Sequence, residues 1–164
     1  MKSGSLNEIK KELQELEPNR LAELCISLAK YKKENKDYLD YLLFESHDKE
    51  GFVAQVKQEI DLLYSEINPD MNLYYAKKIL RKILRIVNKY IKYIGDKSMA
   101  VDLHIYYCRK LIESKLPIEK SARLVNLKAA EIKKIKTLLI ALHPDLQYDY
   151  IRELEDLGIK LWLL

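Results

Sequence analysis

Apolar residues recur at intervals of three and four along almost the whole chain, a period that is typical of amphipathic α-helices. Turn-forming residues are scarce, because the 164 residues include only four glycines and four prolines. A fold with many strands needs more such residues at its turns. The sequence therefore predicts an all-α protein.

Prolines and short polar residues separate the candidate helices. Ser5 and Glu8 form the pattern of a capping box, Pro18 suits a first helical turn, and Gly95 suits a C-terminal stop. Short connections favour antiparallel neighbours, so we predict a single domain, residues 1–164, of seven or eight antiparallel helices in a bundle or a short stack of helical hairpins. The helices are expected near residues 5–16, 18–31, 35–43, 48–67, 72–94, 96–114, 117–142 (with a break allowed near Asn126) and 144–157.

The apolar side of each helix is expected to face the core. Cys25 and Cys108 lack metal-binding or redox spacing and are predicted to be two buried thiols in a reducing cytoplasm. The aliphatic run 138–142 is too short to span a bilayer, and no secretory signal is expected, so we predict a cytoplasmic protein without membrane contact. The inward residues of the first three helices are expected to be Leu6, Ile9, Leu13, Leu16, Leu21, Leu24, Cys25, Leu28, Tyr31, Tyr38, Leu39, Leu42 and Leu43.

Charge is segregated in the middle of the chain. Residues 37–70 carry nine acids against two lysines, whereas residues 71–94 carry seven cations and no acid. At 100° per residue these seven cations fall within an arc of about 140° on the fifth helix. We call them the basic row: Lys77, Lys78, Arg81, Lys82, Arg85, Lys89 and Lys92.

Like charges three and four residues apart repel each other, so an uncompensated row favours an anionic partner. Our candidate binding residues are Tyr74, Lys78, Arg81, Lys82, Arg85, Lys89 and Lys92, docking an acidic protein or a polyanion. The same row could bind nucleic acid, with Tyr74 stacking on a base. Alternatively, Glu59, Asp61 or Glu66 of the preceding helix neutralise the row within the protein.

The sequence shows no catalytic or metal-binding constellation, and we expect neither an enzyme nor a cofactor. His47-Asp48 resembles the central pair of HD-type metal phosphohydrolases, but no histidine precedes it, and Asp48 suits a helix cap. His143-Pro144-Asp145 is similar to the signature of J-domain co-chaperones, yet Pro144 also suits the start of a helix.

Two further features bear on partners and origin. The apolar tail 159–164, which includes Trp162, either packs on the bundle or joins a second copy of the chain as a homo-oligomer. The stretch Leu28-Ala29-Lys30-Tyr31-Lys32-Lys33-Glu34-Asn35-Lys36, with Tyr41-Leu42-Leu43-Phe44-Glu45, resembles uncharacterised small all-helical bacterial proteins. This resemblance implies a bacterial cytoplasmic protein and no particular activity.

Overall fold

The protein is all-α in the computed structural model, which describes residues 4–160. A π-helical turn, Tyr41–Glu45, follows α3, and a 3₁₀ turn, Ile118–Lys120, precedes α7. The predicted fold class and number of helices are thereby confirmed for the described residues. Their α-helices are α1 (Leu6–Gln14), α2 (Pro18–Tyr31), α3 (Lys33–Asp40), α4 (Lys49–Tyr64), α5 (Leu73–Ile94), α6 (Lys97–Glu113), α7 (Ala122–Leu139) and α8 (Pro144–Asp156).

Contacts divide the chain into two compact units, Met1–His47 and Asp48–Leu164. We call them the N-terminal and C-terminal units. The single-domain prediction stays a prediction.

The N-terminal unit has well-defined helix ends but almost no core. Ser5 and Glu8 form the predicted capping box of α1, and Pro18 opens α2. Among the described residues of this unit only Tyr41 is buried. The prediction that the apolar sides of the first three helices face a core is therefore wrong, because the helices of this unit enclose none of them.

The core of the C-terminal unit is built around α6, which packs against α4, α5, α7 and α8. Its side chains Leu103, Ile105 and Tyr107 are completely buried. From α5, the residues Ile83 and Val87 are equally buried. Because α5 packs against α6 through these buried residues, the opposite side of α5 faces solvent.

Polar residues set the ends of the central helices. The Asn72 side chain accepts a hydrogen bond from the backbone N–H of Tyr74 at the start of α5, and the Asp96 side chain caps α6 in the same way. Gly95 ends α5 with a φ of 64°, a left-handed conformation that glycine adopts without steric cost. The predicted helix starts near Asn72 and Asp96 and the predicted stop at Gly95 are confirmed.

Several local predictions need correction. The third helix begins at Lys33, two residues earlier than predicted, and the side-chain amide of Asn35 within it donates to the carbonyl of Leu28. The seventh helix begins five residues later than predicted, after the 3₁₀ turn, and continues unbroken through Asn126. Cys25 is exposed and only Cys108 is buried, because Cys25 lines an open groove between α2 and α3.

Candidate electrostatic docking face

Helix α5 has one buried and one charged side. Ala76, Leu80, Ile83 and Val87 recur every three or four residues and are completely buried. This spacing fixes the rotation of the helix, so the basic row faces away from the core. The row is thus a surface feature of the C-terminal unit, as the sequence predicted.

The basic row is largely exposed, and six of its seven cations, all except Lys89, form no ion pair with a described residue. Lys78, Arg81, Lys82, Arg85 and Lys92 are exposed, and Lys77 and Lys89 are half-buried. No described carboxylate lies within 4.0 Å of the six others. Repulsion among these six cations is therefore not relieved by ion pairs with the described residues.

Asp61 and Glu59 of α4 have hydrogen-bond partners that are not part of the basic row. Asp61 accepts a hydrogen bond of 2.6 Å from the Tyr106 hydroxyl and one of 2.9 Å from the ammonium of Lys110, both on α6. Burial raises the pKa of Asp61, but these hydrogen bonds and the Lys110 charge outweigh it and lower the pKa overall. Glu59 accepts from the Tyr90 hydroxyl at 3.0 Å. Glu66 is exposed and forms no ion pair with a described residue. Neutralisation of the row by Glu59, Asp61 or Glu66, the alternative predicted from the sequence, is therefore not found.

Two tyrosines in the first turn of α5 lie directly before the basic row. Tyr74 and Tyr75 are more than half exposed and meet edge to face, with ring centroids 5.5 Å apart. The Lys78 ammonium lies 4.6 Å from the centroid of Tyr74, and that of Lys77 lies 5.3 Å from it. These cation–π contacts hold the lysines against the ring of Tyr74. A base that stacked on a face of the ring covered by one of these lysines would have to displace that lysine.

Helix α7 adds a second set of cations that sequence reasoning missed. It carries Arg123, Lys128, Lys133, Lys134 and Lys136, and its one acid, Glu131, is buried. The signal was present, because residues 115–136 contain seven cations and two acids. What could not be read from the sequence is that α7 lies beside α5.

A cavity of about 380 Å³ joins the two basic helices. Arg81 of α5 and Arg123 of α7 line the same space, although 42 positions separate them in the chain. Neither guanidinium has an ion-pair or hydrogen-bond partner among the described residues, and both are exposed. Planar guanidinium groups suit bidentate contacts with carboxylates or phosphates. The other lining residues are Leu84, Asn126, Leu127, Ala130 and Glu131.

The carboxylate in this cavity is already satisfied. Glu131 is 2% exposed; it accepts from the Lys134 ammonium at 2.7 Å and is hydrogen bonded to the His104 Nδ1 at 2.8 Å. Burial raises the pKa of Glu131, but the hydrogen bonds and charges of His104 and Lys134 outweigh it and lower the pKa overall. Glu131 is therefore an anion held by its own neighbours, and it leaves Arg81 and Arg123 available to a ligand.

The other candidates from the sequence have local structural roles. Asp48 accepts a hydrogen bond from the Gly51 backbone at 2.9 Å and so caps α4, while His47 is exposed. His143 is the N-cap of α8, with its Nδ1 accepting from the Asp145 backbone at 3.3 Å. Within residues 4–160, no group of three or more metal-binding side chains comes together. Trp162 and the rest of the tail beyond Lys160 lie outside the described residues.

Comparison with known proteins identifies no function for this chain. The chain matches no protein-family model, and neither a curated protein nor a solved structure is significantly similar to it. Among the described helices, none has both the length and the apolar character needed to cross a membrane.

Proposed function

We propose that the protein is a non-enzymatic interaction domain that docks an acidic protein surface, or another polyanion, through the basic row. The observation that carries the proposal is the set of exposed cations on α5 that have no ion-pair partner among the described residues. Arg123 extends this surface from α7 through the shared cavity. We also propose that the chain is a bacterial cytoplasmic protein.

The row has the dimensions of a docking surface. From Lys78 to Lys92 it runs for about 21 Å along the helix axis. Exposed cations in such an array accelerate encounter with an anionic partner and select against cationic ones. Each exposed pair contributes little on its own, ~0–1 kcal/mol, so affinity has to come from several contacts together. Binding should therefore weaken steeply with salt.

Nucleic acid is the second candidate, because α5 and α7 present cations that could neutralise several phosphates. The contacts of Lys77 and Lys78 with the Tyr74 ring favour the acidic protein, since sequence-tolerant binding of single strands relies on open aromatic faces. An acidic polypeptide needs only the charges.

The test compares three full-length proteins: the wild type, the row variant and a control. The row variant is Arg81→Glu/Lys82→Glu/Arg85→Glu. The control, Lys30→Glu/Lys97→Glu/Lys160→Glu, makes the same charge change at three exposed lysines that are not part of the row. Fluorescence anisotropy would follow binding to labelled poly-L-glutamate, to a single-stranded oligonucleotide and to a DNA duplex, each at low and at physiological salt.

We expect the row variant to bind poly-L-glutamate at least about tenfold more weakly than the wild type, which corresponds to roughly 0.5 kcal/mol per reversed side chain. The control should lose far less. Equal losses in the two variants would mean that net charge, and not the row, governs binding, and normal binding by the row variant would refute the proposal. Stronger binding to the oligonucleotide than to poly-L-glutamate at matched salt would favour the nucleic-acid alternative.

A further inference from the structure

The N-terminal unit exposes an unusual amount of apolar surface. Leu28, Leu43 and Phe44 are each more than 60% exposed, and Tyr31 is 77% exposed. None of the residues of α1, α2 or α3 is buried. Large contiguous apolar patches on a folded protein are typical of sites that another surface covers.

Part of this surface is a groove of about 260 Å³. It lies between α2 and α3, which pack against each other, and continues along the π-helical turn. The hydrogen bond from the Asn35 amide to the Leu28 carbonyl, 2.9 Å long, ties the two sides together, so the groove has a defined shape. Its walls are mainly apolar: Cys25, Leu28, Ala29, Asn35, Tyr38, Leu39 and Leu42.

Helix α1 has an apolar stripe of matching character. Leu6, Ile9 and Leu13 follow spacings of three and four, which is the pattern that packs one helix against another. Leu6 is 86% exposed and Ile9 is 47% exposed. A helix of nine residues is marginal in water unless its apolar side is covered. The same chain thus carries an apolar groove and a short helix whose apolar side requires a surface to cover it.

The N-terminal unit is nearly neutral, so its charges do not oppose contact between two copies of it. Residues 1–47 contain eight cations and nine acids, a net charge of −1. Two such units can approach without the repulsion that opposes contact between like-charged surfaces, whereas a strongly acidic or basic partner gains little here. This contrasts with residues 71–94, where seven cations stand without an acid. The balance of charge therefore favours a second copy as the occupant of the groove.

We propose that the protein forms a dimer in which α1 of each copy packs into the α2–α3 groove of the other. The exchange is reciprocal, so both contacts are identical and the assembly closes at two copies. It covers the stripe of α1 and the groove in one step. The dimer rests on the N-terminal unit alone and does not depend on the proposed function of the basic row.

Two full-length variants disrupt the two halves of this contact separately. Leu28→Glu/Leu42→Glu places charge in the groove, and Ile9→Glu/Leu13→Glu places charge on the stripe of α1. All four residues are more than a third exposed, so the isolated fold should tolerate the changes, and circular dichroism would verify that helicity is kept. The matched control is Leu62→Glu/Ile140→Glu, because these residues of α4 and the end of α7 are 71% and 74% exposed.

Sedimentation equilibrium over a concentration series up to the order of 100 μM would give the mass of each protein. We expect twice the 19.4 kDa of one chain for the wild type and the control, and 19.4 kDa for each of the two disrupted variants. Mixing these two variants should restore a weaker dimer, because the intact α1 of the groove variant still fits the intact groove of the α1 variant.

Three outcomes would overturn the proposal: a wild type that stays monomeric throughout, a dimer that survives both disrupted variants, or a mixture that forms no dimer. Trp162→Ala serves as a further arm, since loss of the dimer in that variant but in neither disrupted variant would move the contact to the C-terminal tail. The row variant described above should keep the mass of the wild type, so failure of one proposal is distinguishable from failure of the other.

Discussion

The buried pair of His104 and Glu131 offers a direct test of the core chemistry, through the substitution Glu131→Gln. The side chains are 4% and 2% exposed and meet at 2.8 Å. Glutamine keeps the shape of glutamate but replaces one acceptor oxygen by a donor NH₂ group. Only one of the two contacts, to His104 or to Lys134, can then keep an acceptor, and neither keeps the negative charge.

The expected loss can be estimated from burial. A hydrogen bond to a charged group contributes about 1.5–3 kcal/mol to stability. Lys134 is 44% exposed at its side chain and can turn to water, so its contact counts little. The remaining oxygen of the glutamine can keep the buried contact with His104 but not its charge, so we expect Glu131→Gln to lower the free energy of unfolding by the difference between a charged and a neutral hydrogen bond, about 1–2 kcal/mol.

Urea denaturation followed by circular dichroism measures this loss. Glu113→Gln is the control, because Glu113 is 56% exposed and lies 3.7 Å from Lys110; it should change stability by less than about 0.5 kcal/mol. The pKa of Glu131 is lowered in the folded protein, so its contribution is present above the ordinary value of 4.5 and is lost as the pH falls through the lowered one. The difference between the wild type and Glu131→Gln should therefore shrink on acidification below pH 4.5. A loss no larger than that of the control, or a gap that does not narrow in acid, would refute the reasoning.

Three further predictions follow from burial and backbone geometry. Burial raises the pKa of the Cys108 thiol to about 12 while Cys25 is exposed, so a thiol reagent at neutral pH should modify one cysteine in the native protein and both in urea. Ile135→Ala, at a fully buried site, should lower the unfolding free energy by about 2–5 kcal/mol, whereas Ile140→Ala, at a site 74% exposed, should cost less than about 0.5 kcal/mol. Gly95→Ala should cost about 1 kcal/mol in the same urea assay, because the φ of 64° is strained for alanine although no neighbour lies within 4 Å of its Cβ.

The helices and their ends could be predicted from the sequence because the interactions that set them are local. Ser5 and Glu8 are three residues apart, and Gly95 stands directly after the last turn of α5. The rotation of α5 was equally accessible, since its buried and charged residues follow one period. In each case the determining contacts lie within one or two turns of the same helix.

The remaining features depend on contacts that no local pattern encodes. His104 and Glu131 are 27 positions apart, and Arg81 and Arg123 share a cavity only because α5 and α7 are neighbours in the fold. The apolar period of α2 identified the side that avoids water, but it could not tell whether this chain covers that side. Cys25 was misplaced for this reason.

The two proposed surfaces bind through different forces, so their dependence on salt concentration distinguishes them in experiment. The basic row acts through exposed charges, so its binding should weaken as salt shortens the Debye length to about 8 Å at physiological ionic strength. The groove and the stripe of α1 act through apolar burial, which screening leaves intact and which salts such as sulfate strengthen. A dimer would carry two basic rows, and a polyanion long enough to reach both would bind more tightly than a short one without any new contact. Raising the salt should then release the polyanion and leave the dimer in place, because charge holds the first and burial holds the second.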